Sequence, residues 1–531
     1  MDSSPATQAQ NDEKRAFTPK FYFILGIIFN LCLLGFFKYT DFLLENFNAF
    51  AKLANLDFEI PLPHILLPIA LSFVTFQQIA FLFDCYKRTK GEISENLSIN
   101  FIDYALFISF FPQLIAGPIV HHREMMPQFS QISQAKSTIN YEFLAKGLFI
   151  FSIGLFKKVF IADSFAKWAD AGFALAQKGQ VLNIAESWAT SLSYTFQLYF
   201  DFSGYCDMAI GLGLAFGIVL PLNFNSPYKS RNIAEFWRRW HITLGRFLKE
   251  CLYIPLGGNR VGKVLNLRNL FIVAFLSGIW HGAGWGFVIW GVLHGVAMLA
   301  HRVYGWFVSS LQTREKSIAS RLKIAEKSPS LAEGDLGGGL FENPKNSQNS
   351  VNLKANSAQN SQISQNDNFA NAKSTHPQTP SAREGAFSRP YANLRKNFAV
   401  CYLKFTQSKF YAFLSWFLTF NFISLAWIFF RAENLQGALN LLKGMFGVVW
   451  VELPEKWHLM PKTLAQIGGR NDTIFYILIA ILLCVFAKNS VQITQTPLTL
   501  AKALFAAALA CASLYTLNLI ERTSEFLYFN F

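Results

Sequence analysis

Charge is what this sequence has least of. Asp, Glu, Lys and Arg make up 15% of its 531 residues, against about 25% in soluble domains. A large soluble enzyme needs more charge than this to cover its surface. Cysteine is sparse and scattered, at positions 32, 85, 206, 251, 401, 484 and 511, with no C-x-x-C pair. That excludes a zinc ribbon, a dithiol redox pair and a disulfide framework. No G-x-S-x-G elbow and no H-x-x-x-H pair is present, so the usual signatures of a serine hydrolase and a zinc protease are missing. No metal site is expected.

What the sequence has is apolar length. It is 52% apolar and 16% aromatic, with 56 Phe. Apolar runs recur from Phe21 to Phe37, Ile65 to Phe83, Ala105 to Val120, Phe143 to Phe156, Trp188 to Phe200 and Ala209 to Leu222. They return from Leu270 to Ala300, Phe410 to Phe430, Ile474 to Ala487 and Leu504 to Leu517. A helix crosses about 30 Å of hydrocarbon with about 20 such residues. The pattern predicts an all-α polytopic membrane protein with about ten to twelve membrane segments, some short or re-entrant.

The net charge of +14 is clustered, most densely from Arg231 to Arg268. Positive charge beside membrane segments stays in the cytoplasm. The basic excess therefore reads as an orientation signal, and no nucleic-acid partner is expected. Four regions follow. Residues 1–20 form a polar cytoplasmic N-terminus, and the apolar run after it reads as an uncleaved anchor. Residues 21–311 form a membrane block carrying the core. Residues 312–396, rich in Ser, Asn, Gln and Lys, read as a disordered cytoplasmic loop. Residues 397–531 hold the last membrane helices and an aromatic tail.

Between Ser230 and Asn259 the apolar residues Ile233, Phe236, Trp237, Trp240, Leu244, Phe247, Leu248 and Cys251 recur at three and four. Charged residues take the opposite side. This predicts an amphipathic helix at the cytoplasmic boundary rather than a span. The stretch SGIWHGAGWGFVIWGVLHG, Ser277 to Gly295, then carries two histidines through a run without charge. His281 lies 13 residues past Arg268, roughly 20 Å of helix, short of the membrane thickness. A hairpin with His281 near its tip and His294 on the returning arm is expected. A buried histidine there is either a packing group bonded to a carbonyl or a general base with a pKa near 6.5. His241, on the amphipathic helix, has the same two readings.

EFWRRWHITLGRFLKECLYIPLGGNR followed by SGIWHGAGWGFVIWGVLHG closely resembles the membrane-bound O-acyltransferases. The nearest branch is the AlgI- and PatA-like one, the bacterial alginate and peptidoglycan O-acetyltransferases, with DltB as a cousin. PIALSFVTFQQIAFLFDCYK, FFPQLIAGPIVHHREMMPQF, YFDFSGYCDMAIGLGLAFGIVLPLNFNSPYKSRN and SLAWIFFRAENLQGALNLLKGMFG share the resemblance. It implies a ring of tilted helices around a central tunnel, where a cytoplasmic acyl donor meets an acceptor from the other face. It makes His281 the principal catalytic residue and His241 the second; His294 stays a packing residue or a support behind the site. It implies acetyl-CoA or a similar acyl thioester as donor and no bound cofactor. The implied activity is transfer of acetyl groups across the bacterial inner membrane to a cell-envelope polysaccharide. Peptidoglycan is the first choice, ahead of alginate or another exopolysaccharide and of D-alanyl transfer. A transporter without chemistry is the reading from a different class.

The chemistry asks for a base at the acceptor hydroxyl and donors at the carbonyl oxygen. His281 suits the first task, and His241, an Asn or backbone N–H groups suit the second. With no nucleophile motif beside the histidines, direct transfer is expected. Arg238, Arg239, Arg246 and Lys249 are candidates to bind the donor's phosphates, or else form a solvated face. The chain ends in FLYFNF, whose F-x-Y-x-x-F spacing of Phe526, Tyr528 and Phe531 is similar to the terminal peptide of DltX, the small partner of DltB. That likeness implies a relay in which Tyr528 carries acetyl to an extracytoplasmic SGNH-type (PatB-like) acetyltransferase. An aromatic anchor at the membrane interface is the plainer reading.

Overall fold

The computed structural model describes residues 18–92, 100–115, 117–134, 139–327, 400–451, 463–519 and 526–527, and every regular element among them is helical. The helices are α1 (Pro19–Leu53), α2 (Leu71–Thr89), α3 (Phe101–Ser109), α4 (Phe111–Leu114), α5 (His122–Gln134) and α6 (Tyr141–Phe156). They continue as α7 (Asp163–Gln177), α8 (Ile184–Ala215), α9 (Ile233–Arg239), α10 (Ile242–Leu248), α11 (Lys263–His281) and α12 (Trp285–Lys327). The last are α13 (Lys409–Arg431), α14 (Leu435–Met445), α15 (Asn471–Phe486), α16 (Ser490–Thr494) and α17 (Leu500–Leu519). Asparagine starts many of them. Asn140, Asn183, Asn232 and Asn434 each accept a backbone N–H from the first turn of the helix that follows, which satisfies donors a helix start leaves unpaired.

The chain divides into two units, Met1–Gly305 with Lys409–Phe531, and Trp306–Ser408. In the smaller unit Phe307 and Tyr402 meet edge to face at 5.9 Å. Among the described residues five helices are long and apolar enough to cross a membrane: α1, α11, the 285–313 part of α12, α13 and α17. α1 turns Phe21, Ile24, Leu25, Ile28 and Phe29 outward, as a lipid-facing helix does. Other apolar runs form helices that are too short or too polar to span alone.

α8 is the helix around which the larger unit packs, touching α6, α7, α13, α14 and α15. Its buried side chains include Thr190, Ser193, Gln197, Asp201 and Asp207. Such polar groups survive inside a membrane protein only with partners. A π turn, Lys157–Ala162, supplies two of them. Lys157 Nζ lies 2.6 Å from Asp207, and Lys158 Nζ lies 2.7 Å from Asp201 and 2.9 Å from Asp163. The backbones of α6 and α8 can come this close because glycines meet at two levels. A Cβ on Gly211 would sit 2.6 Å from the Gly147 carbonyl oxygen, and one on Gly204 would sit 2.7 Å from that of Gly154.

Two expectations are corrected. The amphipathic segment after Ser230 is not one helix: it breaks at Trp240 and His241 into α9 and α10, because His241 adopts φ 44° and ψ 55°. The polar loop does not begin at 312, since α12 runs on to Lys327. Gln312 to Lys327 contains no Gly or Pro and is rich in Ala, Lys, Arg and Glu, which favours continued helix. The remainder of the expected loop lies outside the described residues.

Replacing Gly211 or Gly204 by Ala is expected to destabilise the protein by roughly 1–3 kcal/mol, because backbone on both sides must shift. Thermal unfolding in detergent checks this. Midpoints equal to that of the parent protein would show that α6 and α8 are not in contact at these glycines.

Candidate active site

His281 is the last residue of α11. The helix stops there because Gly282 turns to an extended conformation, φ −168° and ψ 156°, and the chain then turns back into α12. The two arms touch through glycine: a Cβ on Gly278 would lie 2.7 Å from Gly291 Cα. His281 thus sits at the turn of the expected hairpin and is 2% exposed. Its imidazole lies among three aromatic rings, Trp280, Phe430 and Trp290, at 4.7, 5.1 and 5.2 Å.

His241 joins α9 to α10 in a left-handed conformation, which β-carbon sterics disfavour outside glycine. The side chain explains the strain. His241 Nδ1 lies 3.0 Å from Asn223 Oδ1, deep in the protein. The same oxygen accepts the Thr243 backbone N–H at 3.3 Å and the Thr243 hydroxyl at 3.0 Å. A backbone N–H can only donate, so this Asn223 atom is the oxygen and not the amide nitrogen. His241 Nδ1 must then be the donor. Burial pushes the imidazole down to about 3, so the ring is neutral and its lone pair is on Nε2.

The two histidines belong to one site. Trp280 borders both rings, at 4.7 Å from His281 and 6.4 Å from His241. His294 stands behind them. Trp237 Nε1 donates to its Nδ1 at 3.2 Å, tying α9 to α12, and Trp290 lies against both imidazoles, tilted to His294 at 4.5 Å and edge-on to His281 at 5.2 Å. Its placement fits packing. Among the described residues no group of three or more His, Cys, Asp or Glu is arranged to hold a metal.

The four cationic candidates separate. Arg246 makes a two-pronged pair with Glu124, at 2.6 and 3.0 Å, and also donates to the Ile119 carbonyl. Arg239 is held by Glu235 and the Asn225 carbonyl. Arg238 and Lys249 are exposed and keep the donor-binding reading. Tyr528 lies outside the described residues. The two residues before it are described: Phe526 stacks on Tyr205 at 4.5 Å, and the Leu527 N–H donates to Asp201 at 3.1 Å.

Sequence reasoning missed Asn223, Thr243, Trp237, Trp290 and Lys38. No local pattern marks Asn223, which lies 18 residues before its histidine. Lys38 did carry a signal, a lone cation closing an apolar run. It donates to the Trp280 carbonyl at 2.5 Å and the His281 carbonyl at 3.2 Å.

Asn223→Ala is expected to leave the His241 N–H and both Thr243 donors without their acceptor. Each such loss weighs about 1–3 kcal/mol, so the thermal midpoint should fall clearly and the site lose its fixed tautomer. Asn223→Asp, which keeps the acceptor, should be milder. Equal midpoints for the parent protein and Asn223→Ala would contradict the assignment.

Comparison with known proteins gives the family. Residues 94–320 match the family described as MBOAT, membrane-bound O-acyltransferase. The chain is 42% identical to a peptidoglycan O-acetyltransferase of Helicobacter pylori, over 96% of this chain and 82% of that one. It is 44% identical to a probable alginate O-acetylase, AlgI, of Pseudomonas syringae pv. tomato, over 54% of this chain and 52% of that one. A teichoic acid D-alanyltransferase of Bacillus subtilis is 27% identical over 46% of this chain and 61% of its own. A multi-pass helical chain with two buried histidines brought together at a broken helix and a hairpin turn, similar to these enzymes, belongs to the membrane-bound O-acyltransferase family.

Proposed function

We propose that this acyltransferase moves acetyl groups from a cytoplasmic acetyl-CoA or similar thioester across the inner membrane for O-acetylation of peptidoglycan. The observation that carries the reading is the joint burial of His281 and His241 in one aromatic-walled site. The acceptor class is supported by the 42% identity to the Helicobacter protein, which spans nearly the whole chain. The alginate O-acetylase relatives align over about half of it.

In the reaction an acceptor hydroxyl attacks the thioester carbonyl, its proton passes to His281, and the C–S bond breaks to release a thiol that recovers the proton. The His241 N–H is already given to Asn223. With its ring neutral, His241 can only accept at Nε2, so it orients the hydroxyl or shares the proton rather than steadying the oxyanion. The indole N–H groups of Trp280 and Trp290 are buried and have no acceptor among the described residues. They are the donors we assign to the developing oxyanion. Arg238 and Lys249 are the exposed cations available to the phosphates of the donor.

The tail extends the reading. Phe526 is buried and lies 6.3 Å from Phe202, whose ring meets His241 edge-on at 4.9 Å. The chain is thus anchored two residues before Tyr528, one ring away from a reacting imidazole. This supports Tyr528 as an acetyl relay to an extracytoplasmic SGNH-type acetyltransferase, which would place the group on the glycan.

Alkali-released acetate from isolated peptidoglycan tests the proposal. Cells carrying His281→Ala should show a loss of at least about 100-fold relative to the parent protein, the scale of a removed acid–base group. Tyr528→Phe should abolish glycan acetate as well. Normal acetate in the His281→Ala strain would end the acyl-transfer reading, and normal acetate with Tyr528→Phe would end the relay alone.

A further inference from the structure

We propose that Lys38 is a positioning residue for His281, fixing the imidazole by gripping the backbone on which it is mounted. The inference rests on the acyl-transfer reading above. Lys38 lies midway along α1, where the apolar run Phe21 to Phe37 ends and before Asp41 and Glu45. Its part-buried ammonium is aimed at backbone carbonyls of another helix.

Its partners define the function. The last carbonyls of a helix have no N–H in their own helix to accept from. α11 ends at His281, and of these carbonyls that of Ile279 receives the Gly282 N–H at 3.2 Å. α1 contributes to the rest. The Tyr39 hydroxyl donates to Ile279 O at 2.7 Å, and Lys38 Nζ donates to Trp280 O at 2.5 Å and to His281 O at 3.2 Å. The same ammonium stands 5.6 Å from the Trp280 ring centroid. Two consecutive side chains of one helix therefore hold three consecutive carbonyls of another, and the last of the three belongs to His281.

The charge has a second reason to be there. The C-terminal end of a helix is its negative end, and a cation at that end is favoured. A neutral hydroxyl has a single donor and would cap one carbonyl with less desolvation. An ammonium has three N–H groups and can hold two carbonyls at once. Direct pinning of the peptide units on either side of the His281 N–Cα bond matters because an error of about 1 Å in a reacting group lowers rate by about 100-fold. A bond that only stapled α1 to α11 would show itself in stability and not in turnover.

The experiment uses inverted membrane vesicles carrying the full chain, with labelled acetyl-CoA supplied from outside and label counted in the glycan. Lys38→Met is expected to lower kcat by at least about tenfold while KM for acetyl-CoA stays within about twofold, the pattern of lost transition-state geometry. Lys38→Arg, which keeps charge and donors, is expected to return kcat to within about threefold of the parent protein. If Lys38→Met does not accumulate folded, Tyr39→Phe replaces it, with an expected loss of about three- to tenfold in kcat at unchanged KM. More than half of parental kcat in Lys38→Met, a loss confined to KM, or an Arg variant as impaired as the Met variant would each overturn the inference. So would unchanged kcat in Tyr39→Phe. Parent vesicles that transfer no label would instead overturn the proposed function.

Discussion

An uncharged imidazole can stay buried in a membrane protein only if its N–H finds an acceptor, and Asn223 supplies one. Its amide oxygen takes the His241 N–H together with the N–H and hydroxyl of Thr243. This one atom decides three things. It sets the His241 tautomer, it holds the residue at a positive φ, and it breaks the amphipathic segment at the point where the second histidine is needed. The local strain is offset by three hydrogen bonds in a place where an unmade one is expensive.

The rest of the site follows a similar logic of placing polar groups where backbone needs them. α11 ends beneath the site, and its terminal carbonyls would be orphans in an apolar surrounding. Lys38 and Tyr39 of α1 answer them. Farther out, α8 carries carboxylates that meet the lysines of the π turn, and one of them, Asp201, also receives the Leu527 N–H of the C-terminal tail. These pairs lie inside a helical bundle whose first helix turns apolar side chains outward. Glycine contacts between α6 and α8 and between α11 and α12 draw the backbones together so that these pairs can form.

Much of this was legible in the sequence. The apolar runs and sparse charge gave the helical membrane class, and the run from Arg268 through Gly282 to Arg302 gave a hairpin with His281 at its turn. The ordered motifs around His241 and His281 gave the family. The partners were not legible, for a physical reason. Periodicity reports which face of a helix is apolar, but a hydrogen bond from His241 to Asn223 or from Lys38 to His281 depends on how separate helices meet. The break at Trp240 and His241 was hidden because the apolar spacing on either side keeps to a single helical phase. The end of α12 was misjudged because polar composition was read as disorder, although Gln312 to Lys327 has the residues of a helix. The role of Arg239 and Arg246 could not be divided from that of Arg238 and Lys249 until Glu124 and Glu235 were placed beside them.

The central claim is that acyl transfer occurs beside Trp280, the ring that borders both His241 and His281. The most direct measurement is an experimental structure of the full chain with a thioether analogue of acetyl-CoA that cannot release its acyl group. The account predicts that the acetyl carbonyl carbon lies within about 4 Å of a ring nitrogen of His281 or His241, close to the distance of reacting atoms. An analogue bound with its acetyl group outside the aromatic walls of Trp280, Trp290 and Phe430, out of contact with both imidazoles, would contradict it.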